Sequence, residues 1–261
     1  MLDMQTQPAV HARTNRYEVS IARTHHEIEE AQRLRYQVFF GEMGAAAARP
    51  AEDGRDMDQY DADCDHLLVR ESQSGTVVGC YRIMRPEMAR RRGEYYADSE
   101  FDLGRLAPIR GNAAEVGRAC IHPAYRSGTV IMLLWSGLTR HMIENRHEYV
   151  FGCASIPLAD GHDNVIAIYE DVIARSLAPA EYRVFPKNPY PLNTHRNRHG
   201  ARGAPQPVPR VPALIKGYMR LGAWIGGAPA WDPDFNTADL FVLLPIARMA
   251  DAYTRHFLRT T

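Results

Sequence analysis

A chain of 261 residues, 45% of them hydrophobic, is long enough to bury a substantial core as one large domain or two small ones. Its 31 Lys and Arg balance 31 Asp and Glu, so no net charge draws it to nucleic acid. Cys64, Cys80, Cys120 and Cys153 show no CxxC pairing, and no apolar run approaches the roughly 18 to 20 residues of a membrane-spanning helix. With no apolar leader near Met1, the expectation is a reduced, cytoplasmic protein that meets the inner membrane only from one side.

Residues 1–16 carry no period and read as a flexible lead. The alternation in YEVSIAR predicts a strand from Tyr17, after which Ile28, Ala31, Leu34, Arg35 and Val38 recur at helical spacing. The stretch AAAARPAEDGRDMDQYDADCD, rich in carboxylates and without period, reads as a functional loop. HLLVRES and TVVGCYRIMRP flank a short polar turn with Gly75 and predict an antiparallel hairpin. The segment Pro86–Asn112, with the basic cluster Arg90, Arg91 and Arg92, reads as irregular.

A strand is then expected over Ala113–Ile121 and a helix over Ser127–Asn145. YVFGCAS reads as a buried strand, Asp163–Ser176 as an amphipathic helix capped by Asp163, and EYRVFP as a further strand. A second basic cluster runs from His195 to Arg202, and Ala204–Pro212 is a Pro-rich linker. Leu214–Ile225 predicts a helix, and ADLFVLL a last strand before a polar helical tail. This order predicts an α/β fold with a mixed, mostly antiparallel central sheet flanked by helices. Residues 17–203 form the main domain, and 204–261 are a C-terminal extension that completes the sheet.

The strand ending in Ile121-His122-Pro123, with Arg126 opening a helix, resembles the GNAT superfamily of N-acyltransferases. There, a Gly-rich loop at a helix N-terminus holds the pyrophosphate of coenzyme A through backbone N–H groups. Here Arg126 is in place, but the glycine positions hold Ser127, Thr129 and Ile131, with Gly128 displaced between them. A poorer cradle suits the single phosphodiester of a phosphopantetheine arm. Arg126, Ser127, Gly128 and Thr129 are therefore the expected contacts for a donor carried on acyl carrier protein, with no resident cofactor.

Arg35 with Phe39, the run Asp56–Asp61, Arg82, Phe101, and Glu115 with Arg118 resemble the acyl-homoserine-lactone autoinducer synthases, although a Trp expected shortly after Phe39 is absent. The words LRYQVFFGEMGA, DQYDADCDHLLV, EVGRACIHPAYRSGTVIMLLWSGL, VFGCAS, NPYPLNTHR and LIKGYMRLGAWIGGAPAWDPDFNTADLFVLL resemble more closely the ornithine acyl-[acyl carrier protein] N-acyltransferases of bacterial ornithine-lipid synthesis. That resemblance spans Leu34 to Leu244. It implies transfer of a fatty acyl group, plausibly 3-hydroxylated, from acyl carrier protein to the α-amine of L-ornithine.

Acylating an amine requires removing its ammonium proton beside a polarised thioester. The resemblance gives Glu115 the base role; the other reading is a carboxylate that is solvated or paired with its neighbour. Arg118 is expected to orient a substrate or to sit in an ion pair. Asp58 and Asp61 are expected to meet the acceptor's side-chain cation, and Arg35 and Arg82 its carboxylate, with core-edge ion pairs as the alternative. Tyr169 lies two residues early for the superfamily's Tyr acid, so core packing is the stronger reading. Cys120 with His122 could mimic a thiol and base, whereas an apolar buried Cys is commonly inert. His25, His26, His141 and His147 lack companion ligands, and no metal is expected.

The helix Leu214–Ile225 has two readings: an interfacial helix with Lys216 and Arg220 toward anionic lipid, or a helix packed on the sheet. Two other functions remain open on the same scaffold. One is acylation of a different amine, including autoinducer synthesis; the other is an idle module that binds carrier protein or membrane.

Overall fold

The computed structural model describes residues 12–13, 16–42, 53–192 and 209–249. In chain order the elements begin with strands β1 (Ala12–Arg13) and β2 (Tyr17–Ile21), helix α1 (His25–Tyr36), strands β3 (Asp65–Glu71) and β4 (Val77–Met84), helices α2 (Pro86–Arg92) and α3 (Ala97–Glu100), and strand β5 (Phe101–Asp102). Then come β6 (Ala113–Ile121), α4 (Thr129–Glu144), β7 (Tyr149–Pro157), α5 (His162–Ser176), β8 (Phe185–Pro186), α6 (Ala213–Arg220), β9 (Trp224–Ile225), β10 (Ala230–Asp232) and β11 (Thr237–Pro245). The pairings are antiparallel wherever register is defined, except that β6 runs parallel to β7. The described residues form two compact units; the first takes those up to 85 and 116–147, the second 86–115 and those from 148 onward.

In the first unit Thr24 starts α1 through a capping box: its hydroxyl accepts the Glu27 N–H while the Glu27 carboxylate accepts the Thr24 N–H. Ala31, Leu34 and Val38 then pack on Leu68, Val77, Cys80 and Cys120. Beyond Tyr36 the chain continues as a π-helix, Gln37–Glu42. α4 covers residues of the opposite alternation. Gly137 leaves no room for a Cβ against Val19 and Leu67, and Gly79 leaves none against Val130 and Leu134. Consecutive residues such as Leu67 and Leu68 thus serve two helices, because successive side chains on a strand point to opposite faces.

In the second unit β11 pairs with β7 along nine residues, from Thr237 opposite Pro157 to Pro245 opposite Tyr149. The parallel ladder between β6 and β7 is short, ending where Glu115 faces Phe151. An aromatic cluster lies over this sheet: Phe151 stacks on Phe241 with centroids 5.5 Å apart, and Tyr95 and Phe101 meet it edge-on. Val165, Ile168 and Val172 bury the inner side of α5.

Several expected elements are corrected. The helix predicted to reach Ile225 stops at Arg220, where Gly222 takes φ 88°. The Ala223 N–H then bonds the Tyr218 carbonyl and the Gly222 N–H that of Met219, a Schellman closure that only glycine adopts without strain. Trp224 and Ile225 instead pair with Leu243 and Val242 of β11. Ile215, Gly217 and Leu221 of this segment are buried while Lys216 and Arg220 are exposed, so its apolar side is covered by protein.

EYRVFP forms a 3₁₀ turn, Ala180–Tyr182, and the two-residue β8, since Pro186 has no N–H to extend a ladder. The segment after Pro86 is not irregular throughout: Pro86 opens α2, and Gly93 at φ 96° follows its end. The N-cap of α5 is Gly161 rather than Asp163, which lies in the first turn. Most of the N-terminal lead, the basic stretch His195–Arg202, most of the Pro-rich linker and nearly all of the polar tail lie outside the described residues. No described helix is long and apolar enough to cross a membrane.

Gly79→Ala is expected to push Val130, and with it the first turn of α4, off β4. Placing a Cβ 2.6 Å from the Val130 methyl should cost about 1–3 kcal/mol, read as a lower urea midpoint with unchanged m-value.

Candidate active site

The first unit buries a charged network that α1 makes unavoidable. The spacing that turns Ala31, Leu34 and Val38 inward also turns Arg35 inward, and its side chain is only 1% exposed. A buried guanidinium needs acceptors on every side. The loop after Gly54 supplies them: Arg35 Nε donates to Asp56 Oδ2 at 2.9 Å, and Nη1 and Nη2 donate to the two oxygens of Asp61 at 2.9 and 2.7 Å. Arg35 Nη2 also meets the Asp56 carbonyl. Gln32 of the preceding turn donates to Asp61 Oδ2 at 3.0 Å.

Arg82 of β4 donates from Nη1 to Asp61 Oδ1 at 2.9 Å and to Asp58 Oδ1 at 2.5 Å. Arg118, on β6, takes a left-handed backbone at φ 50°, and its guanidinium reaches Asp58 Oδ2 at 3.1 Å and Asp56 Oδ2 at 3.4 Å. Three arginines thus face three aspartates. Burial alone would raise the Asp61 pKa, but the hydrogen bonds and charge of Arg35, joined by Arg82, outweigh it and hold the carboxyl well below the usual range. Asp58 is lowered in the same way, burial being opposed by Arg82 and Arg118.

This geometry matches the ion-pair alternative for part of the expected acceptor site. Arg35, Arg82 and Asp61 are buried and turned toward one another as the frame of the network. Asp58 and Arg118 form its more open rim, with side chains 19% and 14% exposed.

The loop expected to meet the donor lies in the same unit. Arg126, Ser127, Gly128 and Thr129 are exposed, and Gly128 at φ 96° caps α4, whose first N–H groups have no partner one turn earlier in the helix. Arg126 donates to both oxygens of Glu42, at 2.5 and 2.7 Å, and to the Ile121 carbonyl. An exposed pair of this kind contributes at most about 1 kcal/mol, so an incoming phosphate can replace Glu42. Cys120 does not act with His122: its sulfur lies 3.5 Å from that of Cys80 in the core, and burial, followed by Cys80, pushes its thiol pKa well up.

The second unit holds Glu115. Its carboxylate is buried and accepts the N–H groups of Tyr96 and Ala97, each at 2.7 Å, where α3 begins. The Tyr95 hydroxyl donates to the Ala113 carbonyl at 2.7 Å, so β6 and the start of α3 are fastened at two points. Tyr169 is half-buried on α5, and burial raises its hydroxyl pKa.

Sequence reasoning missed a second feature of this unit, a trio of carboxylates formed by Glu100, Asp232 and Asp239, whose oxygens lie within 4.8 Å of one another. Burial, then the charge of Asp239, pushes the Glu100 carboxyl up to about 8. The alternation of Thr237, Asp239 and Phe241 on one face of β11 was a signal that a charged residue points inward.

Fold and site together define a GNAT-type acyltransferase. A family model described as an acetyltransferase (GNAT) domain matches residues 34–136. The AHL synthase LasI shares the fold, with a TM-score of 0.51 at 15% identity over 88% of this chain and 90% of that one. The L-ornithine N(alpha)-acyltransferase of Brucella abortus (strain 2308) is 35% identical over 92% of this chain and 88% of its own length. That of Rhizobium meliloti (strain 1021) is 34% identical over 92% and 83%. The chain belongs to the L-ornithine N(alpha)-acyltransferase family.

Two outcomes are expected. Asp61→Asn leaves Arg35 and Arg82 short of a charge and should cost about 3–5 kcal/mol at pH 7 by urea denaturation. Because the Asp61 pKa is lowered in the fold, this contribution is present above the unfolded value near 3.8 and is lost as pH falls. The stability gap between variant and wild type should therefore close in acid. Glu100 has the opposite sign: its raised pKa leaves the fold most stable below about 4.5, with stability lost as pH rises to about 8. The Tm of Glu100→Gln should accordingly gain on that of the wild type across this window and then level off.

Proposed function

We propose that the chain moves a (3-hydroxy) fatty acyl group from acyl carrier protein to the α-amine of L-ornithine. This is the step that makes a lyso-ornithine lipid. The observation that carries the reading is the 34–35% identity, over 92% of the chain, to relatives named for acylation of ornithine at that nitrogen.

Arg126, Ser127, Gly128 and Thr129 receive the phosphodiester of the donor's phosphopantetheine arm at the N-terminus of α4. Arg118 orients the acceptor through its carboxylate, and Asp58, Asp56 and the frame behind them hold that guanidinium in place. Glu115 takes a proton from the ammonium. Two backbone N–H bonds fix its carboxylate in place for that transfer. The neutral amine then attacks the thioester carbonyl, the tetrahedral intermediate collapses to the amide, and the phosphopantetheine thiolate leaves and takes up a proton.

A purified-enzyme assay with one acyl group on two donors tests the donor assignment: kcat/KM should be higher with acyl carrier protein than with coenzyme A, and equal or better use of acyl-CoA refutes it. Glu115→Gln should lower kcat by roughly 10²- to 10⁴-fold while the circular dichroism spectrum stays that of wild type. A folded variant with near-normal kcat removes Glu115 from the base role.

A further inference from the structure

The carboxylate trio of the second unit has no place in the chemistry above. Asp239 is buried on β11, Glu100 stands at the C-terminal end of α3, and Asp232 ends β10. The largest influences on Glu100 besides burial are Asp239, Tyr96, Cys153 and Asp232. Asp232 accepts the N–H groups of Asp234 and Phe235 at 2.9 and 3.1 Å. Among the described residues neither Glu100 nor Asp232 makes an ion pair with Lys, Arg or His. Like charges gathered out of water raise the free energy of the fold unless a cation joins them.

A separate observation points to a ligand. The Thr237 side chain is 4% exposed and its hydroxyl has no hydrogen-bond partner. Thr237 lies directly opposite Asp232 and two residues before Asp239, so all three share one face of the sheet. A buried hydroxyl with nothing to bond is uncommon and calls for a group that completes it.

Register relates this face to Glu115. Glu115 pairs with Phe151, Phe241 with Cys153 and Asp239 with Ser155, which puts Glu115, Cys153, Ser155 and Asp239 on the same side of the unit's sheet. Ser155 is exposed and Cys153 partly so, leaving this end of the face open to solvent. α3 joins the two positions: Glu115 holds the Ala97 amide at its start, and Glu100 is three residues further on. That is about 4.5 Å of helical rise, within the reach of the four-carbon chain that separates the two amines of ornithine.

We propose that Glu100, Asp232 and Asp239, with the Thr237 hydroxyl, bind the side-chain ammonium of the acceptor and make the enzyme specific for a basic amino acid. The assignment rests on the acyl transfer to ornithine proposed above. It replaces Asp61, which the arginine frame neutralises, and it gives Glu100 and Asp232 a cationic partner among groups where the described residues supply none. The bound ammonium displaces the proton that Glu100 retains in the empty site, since its carboxyl titrates near 8.

The test compares L-ornithine with L-norvaline, the same carbon chain without the side-chain amine, in wild type, Glu100→Gln, Asp239→Asn and the less buried Asp232→Asn. Wild type should prefer ornithine. Each variant should raise KM for ornithine roughly 10- to 100-fold, the value of a lost charge-assisted hydrogen bond, with kcat and norvaline turnover near wild type. Loss of a merely structural group would depress both acceptors alike. If wild type acylates ornithine and the folded variants keep its preference, the ammonium site is overturned while the proposed reaction stands. If wild type acylates no basic amino acid, both readings fall. Elemental analysis is the third arm: about one equivalent of divalent metal in purified wild type, absent from Asp239→Asn, would make the trio a metal site and overturn the assignment.

Discussion

Arg35 is a permanent charge on the inward face of a helix, and much of the first unit is arranged around that fact. A guanidinium cannot shed its proton to escape burial, so folding must bring it carboxylates. Asp56 and Asp61 do so, and in binding Arg35 they fix the loop after Gly54 against α1. Asp56 and Asp61 together carry more charge than one arginine balances, and Arg82 of β4 adds a second guanidinium at Asp61. The network therefore ties a helix, a loop and two strands by directional bonds that an apolar core would not supply.

The frame also accounts for the arrangement of its rim. Asp58 and Arg118 keep partial exposure while their inner neighbours are buried, so the groups proposed to orient the acceptor are already held in position. Arg118 adopts a backbone conformation that costs a non-glycine residue on the order of 1–3 kcal/mol, and its bonds to Asp56 and Asp58 offset that strain. Preorganisation of this kind is what orienting residues contribute to a bimolecular reaction. In the second unit Glu115 has a comparable part: it anchors α3 through two amides, so the carboxylate proposed to take the proton also holds the helix that carries Glu100.

Much of the fold was legible in the sequence because it depends on local patterns. The bounds of β6 agree with the expected strand over Ala113–Ile121, and the β3–β4 hairpin, α4, α5 and β11 fall where alternation or helical spacing puts them. One error shows what local pattern leaves out. Trp224 and Ile225 have the composition of a helix end but pair with β11, a partner distant in sequence. Among the candidate residues, Arg35, Asp58, Asp61, Arg82 and Arg118 were identifiable as a set, and which of them faces inward was not.

The sequence by itself determined the elements and the chemical inventory. Periodicity reports which side of a segment is apolar, and residue type reports what a group can donate, accept or ionise. Only the tertiary structure decided that the three arginines and three aspartates satisfy one another, that Arg126 rests on Glu42, and that Glu100, Asp232 and Asp239 converge. Those outcomes depend on contacts between residues up to 139 positions apart, as between Glu100 and Asp239. Electrostatic energy falls with distance in space, and separation along the chain carries no information about that distance until the sheet register is set.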